Sequence, residues 1–165
     1  MEWKVSFAES YLGRMRARIG STRILVPGAR VVIKRHDGCV LMQHRSDFDV
    51  WGIPGGNAEE GEDLQSAATR ETMEETGVRI WNLRPFGFGD DPGFETMTFP
   101  NGDICQFFVM MFYTTDYEGV PVVADDESKA IAWVDPNNLP IMLPNMRRSI
   151  EAFQRFEATG TFQMI

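Results

Sequence analysis

Glu71, Glu74 and Glu75 stand at i, i+3 and i+4 within the stretch Asp63 to Thr76. That stretch reads as a helix, and each helical residue turns by about 100°. Leu64, Ala67, Ala68, Glu71, Glu74 and Glu75 then share one broad side. The apolar first half of this side is expected to pack on the core, and the second half gathers three acids whose side chains meet. Carboxylates this close repel and raise one another's pKa unless a cation joins them. Hard divalent cations prefer oxygen ligands. The opposite side (Gln65, Ser66, Thr69, Met73 and Thr76) carries no charge, the reverse of a solvent-facing helix. The cluster therefore reads as a Mg2+ (or Mn2+) site rather than a solvated acidic face.

Just upstream, Gly55 and Gly56 permit a tight turn and close approach of backbone to a ligand. Glu62 and Arg70 lie two helical turns apart and can face each other. Taken together, Gly56, Glu62, Arg70, Glu71, Glu74, Glu75 and Gly77 spell G-x5-E-x7-R-E-x-x-E-E-x-G. Seven identities at roughly 6–7% each arise at a given start on the order of once in 10^8 by chance. This spacing resembles the signature of the Nudix (MutT-like) hydrolases, which cut a nucleoside diphosphate linked to another group. Trp51-Gly52-Ile53-Pro54-Gly55-Gly56 resembles the family's lead-in, and Thr72 departs from its aliphatic preference. The resemblance implies metal binding by Glu71, Glu74, Glu75 and the Gly55 carbonyl. It gives Arg70 the task of holding the carboxylates in orientation. It also points to an acid in the loop Ala124-Asp125-Asp126-Glu127-Ser128, with Glu127 preferred and Asp126 beside it, as a further metal ligand or general base. The expected catalytic set is Glu71, Glu74, Glu75, Arg70 and Glu127.

Strand and helix signals must position these groups. Residues 1–20 read as a helix stopped by Gly20, with Phe7, Ala8, Tyr11, Leu12, Met15 and Ile19 as its apolar stripe. It is expected to dock on its own domain, with a homodimer contact as the alternative. Ala29–Lys34 and Cys39–Arg45 read as strands joined at His36-Asp37-Gly38. Trp81–Gly89 reads as another strand. Phe94–Phe99 and Asp103–Thr114 flank Pro100-Asn101-Gly102, a hairpin signal. Ala130–Val134 closes the strands and Asn145–Ala158 reads as a final helix. The fold class expected is α/β: a Nudix-type α/β/α sandwich with a mixed sheet, plus an extra N-terminal helix. The helical extension is placed at residues 1–27 and the hydrolase domain at 28–165.

Arg45 ends its strand where it can reach phosphates. Among Phe86, Phe88, Phe94 and Phe99, one or two can stack on a base, and Phe88 and Phe94 are the substrate-binding candidates. His36 and His44 stand apart from other ligand-type residues and read as structural.

The net charge of −8 argues against a nucleic-acid partner, which wants a basic surface. No apolar run reaches membrane-spanning length, and the first residues carry acids with no signal-like stretch. Cys39 and Cys105 read as buried free thiols, so the expected setting is cytoplasmic. A small nucleotide is the expected partner. The implied activity is Mg2+-dependent cleavage of a nucleoside diphosphate joined to a second moiety, of the ADP-ribose, CDP-alcohol or sugar-nucleotide type. Pyrophosphohydrolysis of a (d)NTP is the alternative, and a non-catalytic nucleotide sensor is a third reading. Pro92 lies near where ADP-ribose hydrolases often carry a proline, and Asp90-Asp91-Pro92-Gly93 is equally a turn sequence.

Overall fold

The structure is a computed structural model that describes residues 6–124 and 126–165. Helix α1 (Tyr11–Ile19) precedes strand β1 (Ile24–Ile33), followed by β2 (Val40–Arg45), β3 (Trp51–Gly52) and β4 (Gly55–Asn57). Helix α2 (Leu64–Thr76) carries the acidic cluster. After it come β5 (Arg79–Ile80), β6 (Arg84–Gly89), the short helix α3 (Pro92–Glu95), β7 (Thr96–Thr98) and β8 (Ile104–Thr114). The chain closes with β9 (Tyr117–Glu118), β10 (Ser128–Val134), α4 (Pro144–Thr159) and β11 (Gln163–Met164).

A mixed sheet in the order β11-β6-β8-β1-β4, with β7 also on β8, forms the middle layer. Its centre is the parallel β1–β8 pair, with β6 and β4 antiparallel on either side. Both faces of β1 are covered from Gly28 to Ile33, and its side chains there are apolar except for the buried Arg30. Val32 belongs to a core with Met111, Ile150 and Phe153 on the α4 side. Ala29, Val31 and Ile33 belong to a second core with Ala68, Val78 and Leu83 on the α2 side. The result is the α/β/α arrangement with an added N-terminal helix.

Several elements differ from the sequence expectation. Residues Lys34 to Val40 do turn, yet they share only an isolated bridge, and β2 leaves to pair with β10 and β3 in a separate sheet. The N-terminal helix starts at Tyr11, so Phe7 and Ala8 precede it, and residues 1–5 lie outside the described set. The strand expected from Trp81 starts at Arg84. Pro92 opens α3, where its missing N–H costs nothing and Asp91 caps the turn. The expected strand at Phe94 is thereby shortened to β7, which pairs with β8 through Thr96↔Gln106 and Thr98↔Ile104. Thr76, on the uncharged side of α2 opposite the acids, is fully buried, as is Thr72. Each hydroxyl donates back to the carbonyl one turn earlier, at 2.8 Å for Thr72 and 2.6 Å for Thr76. That bond satisfies the buried oxygen and lets threonine occupy an apolar position. Cys39 is half-buried and Cys105 buried, both as free thiols. Among the described residues, no helix is long and apolar enough to cross a membrane.

Candidate active site

Helix α2 is fixed at both ends. Asp63 caps it by accepting the Ser66 N–H at 2.7 Å, and Gly77 ends it in the left-handed conformation at φ 68°. Between these caps, Glu71, Glu74 and Glu75 face a cleft of about 1140 Å³. Strand β4 runs along the same wall, set by the register Arg30↔Gly55, Ala29↔Gly56 and Gly28↔Asn57. Glycine at position 56 makes room for the acid: a Cβ there would lie 2.2 Å from the Glu71 carboxyl carbon and would push that carboxylate aside. The Gly55 N–H donates to Glu75 Oε2 at 3.0 Å.

Arg70 organises the acids around it. Its guanidinium donates twice to Glu62, at 2.9 and 2.8 Å, and to the Asn57 carbonyl at 2.9 Å. It also reaches Glu71 at 2.9 Å and Glu74 at 3.3 Å. A planar fork of five donors suits such a fan. Glu62 itself precedes the helix and is held by the Glu59 N–H at 3.1 Å. These hydrogen bonds, Glu62's above all, hold Arg70 above even its usual range.

The electrostatics favour a cation. Burial pushes the Glu75 carboxyl up to about 8, and the charge of Glu71 adds to it, while Gln43, Arg45 and the Gly55 N–H pull the other way. Burial likewise pushes Glu71 up to about 7 against the charge and hydrogen bond of Arg70, with Glu74 and Glu127 adding. Glu75 is only 3% exposed. Among the described residues, these acids do not form a closed metal cage. None is needed for Mg2+, which keeps several waters and takes one or two carboxylates plus phosphate oxygens. The donor set fits a hard divalent cation: buried carboxylates crowded into one corner, beside a glycine whose missing Cβ leaves them room.

The other expected residues fall into two groups. Arg45 and Glu127 line the cleft with the acids. Arg45 is forked onto Asp47 at 3.0 and 2.7 Å, so any phosphate competes with that carboxylate. Glu127 is anchored through its carbonyl, which accepts from the Ser46 N–H at 2.8 Å, and its charge is felt at Glu71. Asp126 lines the cleft beside it, and Asp125 lies outside the described residues. Phe88 and Phe94 are not brought to the cleft. Phe88 lies on β6 between Met110 and Met164. Phe94 lines a separate cavity of about 330 Å³, with the Arg148 guanidinium 3.8 Å above its ring. The aromatic rings in the cleft are Phe99, Phe107 and Phe7. Phe107 went unremarked in the sequence because its inward direction depends on the register Val26↔Phe107 with β1, from a distant part of the chain.

Two further residues escaped the sequence reading. Gln43 is 1% exposed; its oxygen accepts from Ser128 Oγ at 2.5 Å. Its Nε2 makes no regular hydrogen bond, yet lies close enough to Glu75 to lower that pKa. Arg30 is buried against Glu95 in a fork of 2.7 and 2.5 Å, with Asn145 and Ser149 completing the network at the cleft's inner wall. A glutamine in an apolar strand and an arginine in the run Gly28–Ile33 were the available signals.

Comparison with known proteins agrees with this geometry. The NUDIX domain family matches residues 25–154. A Bacillus subtilis (strain 168) protein with the provisional name 8-oxo-dGTP diphosphatase is 29% identical over 128 residues, covering 77% of this chain and 78% of that one. The NAD-capped RNA hydrolase NudC of Klebsiella pneumoniae (strain 342) is 32% identical over 122 residues, 73% of this chain but 43% of NudC, so the chain spans less than half of that relative. The MutT NUDIX hydrolase from Burkholderia pseudomallei superposes with a TM-score of 0.65 at 23% identity, over 78% of this chain and 98% of that structure, a likeness of fold. With its acidic helix, glycine turn and arginine hub in place, the chain belongs to the NUDIX domain family and is a MutT-like hydrolase of pyrophosphate bonds.

Proposed function

We propose that the chain is a Mg2+- or Mn2+-dependent pyrophosphohydrolase acting on a nucleoside diphosphate linked to a second moiety, of the ADP-ribose, CDP-alcohol or sugar-nucleotide type. The observation that carries this reading is the convergence of Glu71, Glu74 and Glu75 on the Gly55–Gly56 turn at the wall of a cleft roomy enough for a dinucleotide-sized ligand. Glu71, Glu74 and Glu75 would hold the metal, with the Gly55 carbonyl and Glu127 as further oxygen donors. A bound divalent ion supplies charge to offset the diphosphate oxygens and acidifies water. The chain's own residues do the remainder. Arg70 keeps Glu71 and Glu74 aimed at one place, and Arg45 offers a fork to a phosphate. Glu71 or Glu127 would take the proton of the attacking water. Phe99 and Phe107 offer ring faces to a base.

Hydrolysis of a (d)NTP is a second reading, favoured by the name of the Bacillus subtilis relative, which matches over most of both chains. The products separate the two. Purified protein with Mg2+ is incubated with ADP-ribose, CDP-choline, a sugar nucleotide and dGTP in 18O-labelled water. The first reading expects a nucleoside monophosphate plus a phosphorylated remainder, with label on one product phosphate and none on a sugar or alcohol carbon. Pyrophosphate from dGTP as the dominant product would favour the second. Orthophosphate release from AMP at a rival rate would overturn both.

A further inference from the structure

Ahead of the family match, which begins at residue 25, the chain has already built part of the cleft wall. Ser6, Phe7, Ser10 and Leu12 line the cleft together with Glu59 and Glu71. The segment is tightly made. Ser10 caps α1 by accepting the Gly13 N–H at 3.0 Å, and its hydroxyl donates to the Phe7 carbonyl at 2.7 Å. A Cβ at Gly13 would lie 1.7 Å from the Phe7 carbonyl oxygen, so the turn before α1 can fold onto the helix only over a glycine.

This unit is tied down at both ends. The Tyr11 N–H donates to Glu59 Oε2 at 2.7 Å, and Arg14 pairs with Glu60; both acids belong to the loop that leads into α2. At the other end, Arg16 is 9% exposed and donates to the carbonyls of Thr22 and Ile104 at 2.6 Å and to Cys105 Sγ at 3.1 Å. Helix α1 is thus fixed across the starts of β1 and β8, the two strands whose Gly28, Phe107 and Val109 face the cleft. On this anchored base Phe7 is left 60% exposed. A single exposed apolar ring is ordinary on a protein surface. This one stands at the cleft, on a backbone that a buried arginine and an obligatory glycine hold in place.

We propose that the segment Ser6–Leu12 is a substrate-recognition element, with Phe7 as a specificity-determining residue that contacts the part of the nucleotide substrate lying beyond its diphosphate. The proposal rests on the pyrophosphohydrolase reading above. The ring face suits an uncharged ring, a base or a sugar. The neighbouring rim carries Glu59, Glu60, Glu62 and Asp63 against Arg70, with Arg14 paired to Glu60 behind it, so a further phosphate would meet repulsion there.

The test is steady-state kinetics with Mg2+ on ADP-glucose, ADP-ribose, CDP-choline and dGTP, using the full chain and its variants Phe7→Ala, Phe7→Tyr and Gly13→Ala. On whichever substrate the wild type cleaves fastest, Phe7→Ala should raise KM about tenfold or more with kcat kept. Phe7→Tyr should restore the wild-type KM, and Gly13→Ala, which displaces the turn, should reproduce the KM rise. The Mg2+-induced rise in melting temperature should be the same in wild type and Phe7→Ala, because the acidic cluster is untouched. An unchanged KM in Phe7→Ala, or a fall in kcat and melting temperature that Tyr does not repair, overturns the recognition role alone. A wild type inactive on all four compounds overturns the functional reading, and this one with it.

Discussion

Replacing Glu75 by glutamine should stabilise the metal-free protein while removing most of its turnover. Glu75 is 3% exposed, and its carboxyl, ordinarily near 4.5, is pushed up to about 8 by burial with the Glu71 charge adding. An acid whose pKa is raised by folding costs no stability below its unfolded pKa. Its penalty grows as pH climbs from about 4.5 toward 8, because the unfolded chain releases the proton first. From 4.5 to pH 7.5, at about 1.4 kcal/mol per unit, the span is about 4 kcal/mol. Glu71 titrates together with Glu75, which brings the expected gain to about 2–4 kcal/mol. Glutamine keeps the shape and an acceptor for the Gly55 N–H, so little packing is lost. In a chain of this size each kcal/mol moves Tm by roughly 2–4 °C, which predicts a rise of roughly 4–16 °C. Calorimetric melts in EDTA across this pH range provide the assay. The difference should be near zero at the acid end and widen toward pH 7.5. Turnover at saturating Mg2+ should fall by about two orders of magnitude. A variant that melts at or below the wild type at pH 7.5, or a gain that does not change with pH, would refute the reasoning.

Millimolar Mg2+ or Mn2+ should raise the wild-type Tm, since the folded cluster binds it and the unfolded chain does not; an equal rise in a Glu71/Glu74/Glu75 triple Gln variant would place the ion elsewhere. Gly56→Ala puts a methyl where the Glu71 carboxyl lies, so circular dichroism should stay native while kcat drops at least about tenfold, comparable to losing an electrostatic contributor. Arg70→Lys cannot reproduce the fan to Glu62, Asn57, Glu71 and Glu74. It should weaken Mg2+ binding about tenfold or more in a titration followed by activity, and wild-type affinity would sink that role.

How much could be read from the chain follows from how far each contact reaches along it. Glu71, Glu74 and Glu75 lie on one helix, so helical spacing alone gathers them, and their glycine turn stands only a short way upstream. The mixed sheet was legible in outline because β1, buried on both faces over its second half, is apolar apart from Arg30. The turn after Lys34 was visible, but the divergence of β2 into another sheet depends on its pairing with β10, far along the chain. Phe88 and Phe94 look as apolar and aromatic as Phe99 and Phe107; only the register on β8 and the position of α3 separate them. Arg45 had its competitor, Asp47, two residues away in plain sight. The attachments of α1 were hidden, because Arg16 bonds to backbone carbonyls, which any residue can supply.

The parallel pairing of β1 with β8 has a consequence for the order in which the molecule assembles. Its register joins Ile24 to Cys105 and Ile33 to Thr114, so about half of the chain separates the partners. Loops that long close slowly compared with the winding of a local helix. During synthesis α2 can wind, with its acids, before the floor beneath it exists. The cleft takes shape only once β8 has emerged and slid in beside β1. Mutations that weaken this pairing should therefore slow folding and leave an acidic helix transiently without its partner sheet, visible as a delayed recovery of activity after refolding while helical signal returns early.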